Sequence, residues 1–249
     1  MRSSQVPVSA ATAPPVQPVG GRPAVYALLS RSSSWWVWGP AIAFVALYLA
    51  LVGTAAGQQL DEAAMQWVSA TAGSTTWAEL TLLTVSAGGM LLATGLVIIT
   101  TAVLRGRRHA VAAAVAAGTV VVVAEGLKLV LDRPMFLAGV AGNSFPSGHV
   151  AAVAGLVVAL VIAVPRANRW LVTVLVAGPA VGLTGLATVV LLWHRPSDVV
   201  GSALLAVAIG ALATQAADHT NGHRLASPGR PKSRRPDSSV HSAGKSGAR

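Results

Sequence analysis

The chain contains no cysteine, and charged residues make up only 10% of its 249 positions. Without cysteine it forms no disulfide, uses no thiolate nucleophile and builds no zinc site on sulfur. A soluble domain carries about 25% charged residues. The low charge, together with 53% hydrophobic residues and a mean hydropathy of +0.63, therefore indicates a membrane protein. The sequence also lacks a Walker-type phosphate loop and a carboxylate pair spaced for glycoside chemistry.

Long apolar runs predict an all-α fold, a bundle of six transmembrane helices. A spanning helix needs about 20 apolar residues. The six runs are 35–56, 80–104, 110–131, 150–164, 170–193 and 199–217. The fourth is short unless His149 lies within the mouth of its helix. The alternative that the first run is a signal peptide is disfavoured by its length and by the long tail before it.

The regions outside these runs are more polar. Residues 57–79, with Asp61 and Glu62 but no Lys or Arg, predict a short helix at the membrane surface. Both ends of the chain are rich in small and polar residues without helical or alternating period, which favours disorder. We therefore expect a disordered N-terminal tail at 1–34, one membrane domain at 35–217, and a disordered basic C-terminal tail at 218–249.

The distribution of basic residues predicts the orientation. Fifteen of the 18 Lys and Arg residues lie in the two tails and in the loops 105–109 and 165–169. With six spans and both termini in the cytoplasm, all fifteen fall on the cytoplasmic side, as the positive-inside rule requires. Lys128, Arg133 and Arg195 fall on the other side. The net charge of +10 is accordingly interpreted as a topology determinant that contacts anionic headgroups, and not as a nucleic-acid interface.

Three short polar segments interrupt this apolar chain on the predicted extracytoplasmic side. The most compact is 143–149, which ends in Ser147, Gly148 and His149. A helix that begins here offers free N–H groups to an anion, and an imidazole at its mouth can act as a general acid. The alternative is an ordinary turn with Ser147 as the N-cap of the helix.

The other two polar segments, 128–133 and 194–198, carry the remaining titratable groups. Lys128 follows Glu125 by one helical turn, where an ion pair is the simplest interpretation, and Arg133 precedes a proline that ends the helix. A guanidinium suits phosphate oxygens. Asp198 follows His194 by four residues, so it can orient the imidazole as in a catalytic triad. A metal site is the rival interpretation, but the surrounding cations would repel a metal ion.

With these residues the chain resembles the PAP2 superfamily, the type 2 phosphatidic acid phosphatases, which are metal-independent membrane lipid phosphatases. The Pro-Ser-Gly-His motif is intact at 146–149, and the third motif keeps its His and Asp at the correct spacing. The resemblance implies that His194 attacks phosphorus, oriented by Asp198, and that His149 protonates the leaving alkoxide. Ser147 and Gly148 would hold the phosphate and Lys128 would neutralise it, without a cofactor or metal.

Two motif arginines are absent from their expected positions. Met135 stands where the first motif has Arg, and Thr188 stands where the third motif has Arg. Loss of one preorganised donor to a transition-state oxyanion costs about 2.7–4 kcal/mol. Arg133 and Arg195 are the other basic residues on that side, so we expect them to replace the missing pair.

The sequence therefore predicts an integral membrane phosphatase for a lipid phosphate or pyrophosphate, of phosphatidate, phosphatidylglycerol phosphate or polyprenyl type, acting at the outer face through a phosphohistidine. A catalytically weak or inactive family member that binds lipid phosphates is the main alternative, motivated by Met135 and Thr188. A transporter or membrane scaffold is a third, and it predicts no proximity among residues 128, 149, 194 and 198.

Overall fold

A computed structural model describes residues 24–136 and 142–225, with side chains for 35–136 and 142–217. Within these ranges the chain is helical and contains no strand, which confirms the predicted all-α class. The helices are α1 (Ala24–Leu47), α2 (Ala55–Thr71), α3 (Thr76–Thr84), α4 (Ala87–Arg105), α5 (Arg107–Val130), α6 (Gly148–Ala163), α7 (Arg169–Val172), α8 (Gly178–Val190) and α9 (Pro196–Leu225). A π-helical turn, Tyr48–Val52, extends α1, and short turns join α6 to α8 through α7.

The described part of the chain has five segments long and apolar enough to cross a membrane: Trp35–Val52, Ala87–Arg105, Arg107–Val130, Arg166–Val190 and Pro196–Ala217. The sixth apolar helix, α6, has 16 residues. It begins at Gly148, so His149 lies in its first turn, as the short fourth run required. These helices confirm a multi-pass membrane protein.

Two element predictions were wrong. The run 80–104 is not one helix, because α3 ends at Thr84 and the Ser86 hydroxyl caps a new helix by accepting the backbone N–H of Gly89 at 3.2 Å. Residues 57–79 belong to two helices, α2 and α3, and not to a single short one. The N-cap at Ser86 is a local signal that outweighs the continuous apolar composition around it.

The tail predictions fall mostly on residues that the structure does not describe. Helix α1 begins at Ala24 and α9 runs to Leu225, so helical backbone extends inside both predicted tail boundaries. The rest of 1–34 and 218–249 lies outside the described residues. The division into a membrane domain and two disordered tails therefore stays a prediction.

Helix α6 is packed by α4, α5, α8 and α9. Many of its contacts are made by alanines, which let helix backbones approach closely where no hydrophobic effect drives helix association. The buried core here includes Ala113, Ala117, Val120, Ala151, Ala154 and Ala159. This packing fixes the position of the α6 N-terminus relative to the start of α9.

A second cluster holds the segment before α6. The buried Phe145 ring lies against Phe44 and Tyr48, with ring centroids 5.1 and 5.7 Å away. Tyr48 also donates its hydroxyl to the Asp132 carbonyl at 2.5 Å, and Gln58 donates to the Pro134 carbonyl at 2.7 Å. The first helices thereby fix both chain segments that lead into the polar site.

Candidate active site

Asp198, in the first turn of α9, is the centre of a buried polar network. Its carboxylate accepts the Ser144 hydroxyl at 2.6 Å, the Arg195 backbone N–H at 3.0 Å and an Arg133 guanidinium N–H at 3.2 Å. A fully buried carboxylate is costly unless it is paired and hydrogen-bonded. These three donors meet that requirement and fix the orientation of Asp198.

His194 precedes α9 and faces this carboxylate. Its Nδ1 lies 3.5 Å from Asp198 Oδ2, and within the described residues that buried nitrogen makes no hydrogen bond. Catalytic hydrogen bonds are often long in the absence of substrate and tighten in the reacting complex. With Nδ1 turned toward Asp198, Nε2 is the imidazole nitrogen available to a reacting group.

His149 faces the same place from the first turn of α6. Its ring centroid is 6.1 Å from that of His194 and 5.5 Å from that of Trp193. Reacting groups approach to about 3 Å before chemistry. Two imidazoles at this separation can therefore contact one group placed between them, a proximity that the transporter or scaffold interpretation did not predict.

The start of α6 is anchored to α9. The Ser147 hydroxyl accepts the backbone N–H of Val150 at 3.4 Å, as an N-cap does. Its backbone N–H donates to the Asp198 carbonyl at 3.0 Å, and its carbonyl accepts the Ser202 hydroxyl at 2.8 Å. Ser147 is thus the N-cap of α6, and its contacts fix the helix end, where the first backbone N–H groups lack a partner within the helix.

Lys128 and Glu125 approach the same helix end from α5. They form the expected ion pair, with 2.8 Å between Lys128 Nζ and Glu125 Oε1. A Cβ at Gly148 would collide with the Glu125 carboxylate and lie 3.1 Å from Lys128 Nζ. The start of α6 therefore lies in direct contact with this ion pair.

Arg133 is held by carboxylates. Its side chain is 4% exposed, and Nη1 donates to Ser144 Oγ at 3.0 Å as well as to Asp198. Its Nη2 donates to Asp61 Oδ2 at 3.4 Å, and its buried Nε makes no hydrogen bond within the described residues. The guanidinium thus connects Ser144, Asp198 and Asp61 and holds the Asp198 carboxylate in place.

Arg195 also contacts Ser144. Its Nε donates to Glu62 Oε2 at 3.0 Å, and Nη1 donates to Ser144 Oγ at 3.4 Å. The Ser144 hydroxyl therefore connects both arginines with Asp198. The structure brings the two arginines of the sequence hypothesis into one network with the catalytic candidates.

Three residues of this network were missed by the sequence analysis: Asp61, Glu62 and Ser144. Asp61 accepts the backbone N–H of Ser197 at 2.9 Å and also the Ser197 hydroxyl. Burial raises the pKa of the Asp61 carboxyl above its usual range, and the hydrogen bonds from Ser197 only partly oppose this rise. The sequence signal for Asp61 and Glu62 was two adjacent acidic residues in a stretch without Lys or Arg, which therefore need basic partners from elsewhere in the chain.

Among the described residues, the side chains at the two vacant motif positions make no hydrogen bond to this network, although the Thr188 backbone carbonyl accepts the His194 backbone N–H at 3.2 Å. Thr188 is fully buried and donates its hydroxyl to the Gly185 carbonyl of its own helix at 2.7 Å. Met135 is exposed after α5. Within the described ranges, no three His, Asp or Glu side chains are grouped in the way that a metal site requires.

Comparisons with known proteins agree with this architecture. Residues 41–221 match the PAP2 superfamily, so the chain belongs to that superfamily. Its fold is similar to the crystal structure of a transmembrane PAP2-type phosphatidylglycerolphosphate phosphatase from Bacillus subtilis. The TM-score is 0.60 and the identity 22%, over 75% of this chain and 97% of the other. Among curated proteins, none matches the sequence significantly.

Proposed function

We propose that the protein is an integral membrane phosphatase that hydrolyses a lipid phosphate or pyrophosphate through a phosphohistidine on His194. The observation that carries the proposal is the pair of imidazoles with ring centroids 6.1 Å apart, one of which faces a buried carboxylate. A nucleophile oriented by a third group and an acid on the opposite side of the reacting atom are the requirements of this chemistry.

In the first step, His194 Nε2 attacks phosphorus. The N–P bond forms while the bond from phosphorus to the leaving oxygen breaks, and His149 gives its proton to that oxygen. Asp198 stabilises the positive charge that develops on the His194 ring. The lipid alcohol, or a lipid phosphate in the case of a pyrophosphate, then leaves.

In the second step, water attacks the phosphohistidine. His149, now neutral, takes a proton from the water, the N–P bond breaks, and inorganic phosphate leaves. Because one residue serves as acid and then as base, each cycle returns both histidines to their starting state. No metal or cofactor enters either step.

The phosphate oxygens are held from several sides in this proposal. Ser147 and Gly148 open α6 so that its N-terminal N–H groups face the phosphate, and the Lys128 ammonium neutralises it. Arg133 and Arg195 supply the positive charge that Met135 and Thr188 do not. Preorganised donors of this kind are usually the largest electrostatic contribution to catalysis.

The orientation belongs to the same proposal. Both termini lie in the cytoplasm, anionic headgroups contact the basic loops and tails, and the active site opens on the extracytoplasmic side. The substrate is phosphatidate, phosphatidylglycerol phosphate or a polyprenyl phosphate or pyrophosphate. The similar crystal structure is that of a phosphatidylglycerolphosphate phosphatase, which supports the second of these classes.

A second candidate function is lipid-phosphate binding with little or no turnover. It is favoured by the ion pairs that already engage Arg133 and Arg195, since a phosphate must compete with carboxylates for both. The test is phosphate release from a panel of these lipids by purified protein in the presence of EDTA. Release that EDTA leaves unchanged and that His194→Ala abolishes supports the phosphatase, whereas equal release by both proteins contradicts it.

A further inference from the structure

The acidic residue Glu62 on α2 contacts the site from an element outside all three sequence motifs. Its Oε2 accepts Arg195 Nε at 3.0 Å, across 133 positions of sequence. The Arg195 side chain is 8% exposed and that of Glu62 is 20% exposed. The pair is thus mostly withdrawn from solvent, where an ion pair is weakly screened.

We propose that Glu62 is a positioning residue that orients the Arg195 guanidinium toward the substrate phosphate. This inference rests on the proposed phosphate site. Glu62 holds Nε and Ser144 holds Nη1, so two nitrogens on different edges of a planar group are fixed. Fixing two edges sets the plane of the guanidinium and leaves its remaining N–H groups for an oxyanion.

The vacant motif position explains why such a residue is needed. Thr188 lies inside α8, where an arginine would be supported by the helix that carries it. Arg195 instead lies in the turn before α9, adjacent to the nucleophile, and its long side chain has many rotamers. An external acceptor is required to select the productive one, and Glu62 is that acceptor.

Asp61 holds α2 in place, so that Glu62 can orient Arg195. It accepts the Ser197 backbone N–H and hydroxyl at the start of α9, and it also pairs with Arg133. These contacts fasten α2 to the same turn that carries Arg195. Glu62, the next residue, is therefore held at a fixed distance from its partner.

By its charge alone, Glu62 would weaken the binding of a phosphate and not strengthen it. Counting Lys128, Arg133 and Arg195 against Asp61, Glu62, Glu125 and Asp198, the named groups carry three positive and four negative charges when all carboxylates are ionised. One more carboxylate near a phosphate disfavours its binding by simple repulsion. In the proposed site, the gain from orienting Arg195 outweighs the repulsion between Glu62 and the phosphate.

The experiment compares Glu62→Ala, which removes the acceptor, with Glu62→Gln, which keeps an amide oxygen for Arg195 Nε. Affinity for inorganic phosphate is measured by protection of the purified protein against thermal unfolding, and kcat and KM are measured with lipid phosphate. Glu79→Ala, a change at an exposed carboxylate on α3, is the matched control.

We expect Glu62→Ala to weaken phosphate affinity and to raise KM by about 10- to 100-fold, the range that misplacement of a binding group produces. Glu62→Gln recovers most of the loss, and Glu79→Ala matches wild type. In an Arg195→Ala background, Glu62→Ala has no further effect, because both changes remove the same contact.

An additive loss in the Arg195→Ala background overturns the proposal, as does tighter phosphate binding by Glu62→Ala. Absence of phosphate protection in the wild-type protein also overturns it. Phosphate binding is read without turnover, so the outcome is separable from the phosphatase proposal. If phosphate protects and Glu62 matters but no lipid phosphate is hydrolysed, only the catalytic proposal fails.

Discussion

Ser144 connects the Asp198 carboxylate with both arginines, so its hydroxyl offers a direct test of the network. The perturbation is Ser144→Ala. The hydroxyl donates to Asp198 Oδ2 at 2.6 Å and accepts from Arg133 and Arg195 at 3.0 and 3.4 Å. The change removes all three contacts and leaves the backbone in place.

The expected magnitude follows from the shortest of these bonds. A hydrogen bond to a charged group contributes about 1.5–3 kcal/mol. If that free energy is lost only in the transition state, where Asp198 must stabilise the charged His194 ring, kcat falls by roughly 10- to 150-fold. KM should rise as well, because the same hydroxyl holds Nη1 of Arg195, which contacts the substrate phosphate in the proposed site.

The assay is phosphate release at saturating and limiting lipid phosphate, with thermal unfolding measured on the same preparations. Ser69→Ala is the control, because the Ser69 hydroxyl also makes a part-buried hydrogen bond, at 2.8 Å to the Val190 carbonyl, but touches no carboxylate of the site. Ser69→Ala should keep full kcat. A folded Ser144→Ala with wild-type kcat and KM refutes the role of this hydroxyl in orienting Asp198.

The remaining predictions concern the same network. Arg195→Ala should lower kcat/KM by about 10²–10³. Its loss of stability should be smaller than that of Arg133→Ala, because its partner Glu62 is 20% exposed and can be hydrated. Arg133→Ala should instead cost about 3–5 kcal/mol of unfolding free energy, because it leaves buried carboxylates unpaired; full activity of both variants contradicts their proposed roles. Gly201→Ala places a Cβ 2.6 Å from the buried Phe145 ring and should destabilise by about 1–3 kcal/mol, measured by thermal unfolding against Gly88→Ala, where the space is open. Asp61, with its raised pKa, binds its proton more tightly when folded. The free energy of unfolding of wild type should therefore rise relative to that of Asp61→Asn as the pH falls from neutral to about 4. A fall of the wild-type value relative to Asp61→Asn over this pH range contradicts the prediction.

The sequence was sufficient for the class of fold because hydrophobic length is a local property. A span such as Arg107–Val130 is visible from its composition alone. The break between α3 and α4 was missed because Ser86 caps a helix within an apolar run, where composition changes little. Local polar geometry, and not hydropathy, decided that boundary.

The site residues likewise fall into those that a local sequence pattern indicates and those that only tertiary contacts reveal. His194 and Asp198 are four residues apart at the start of a helix, and Ser147 to His149 open another. The spacing indicated two polar groups at helix starts, and the resemblance to the PAP2 superfamily implied their roles. The contribution of α2 is different. Glu62 and its partner are 133 positions apart, and no spacing rule joins them. Such contacts depend on tertiary packing, which the sequence pattern of a single chain does not display.

The covalent intermediate on His194 is the central claim of the proposed mechanism. Purified protein would be mixed with a lipid phosphate labelled in its phosphate group, quenched rapidly in alkali, and examined for label on the chain. We predict an acid-labile, alkali-stable phosphoryl group on His194, which His194→Ala lacks. Turnover with no labelled protein at any quench time, or label of equal amount in His194→Ala, contradicts the phosphohistidine and the roles assigned around it.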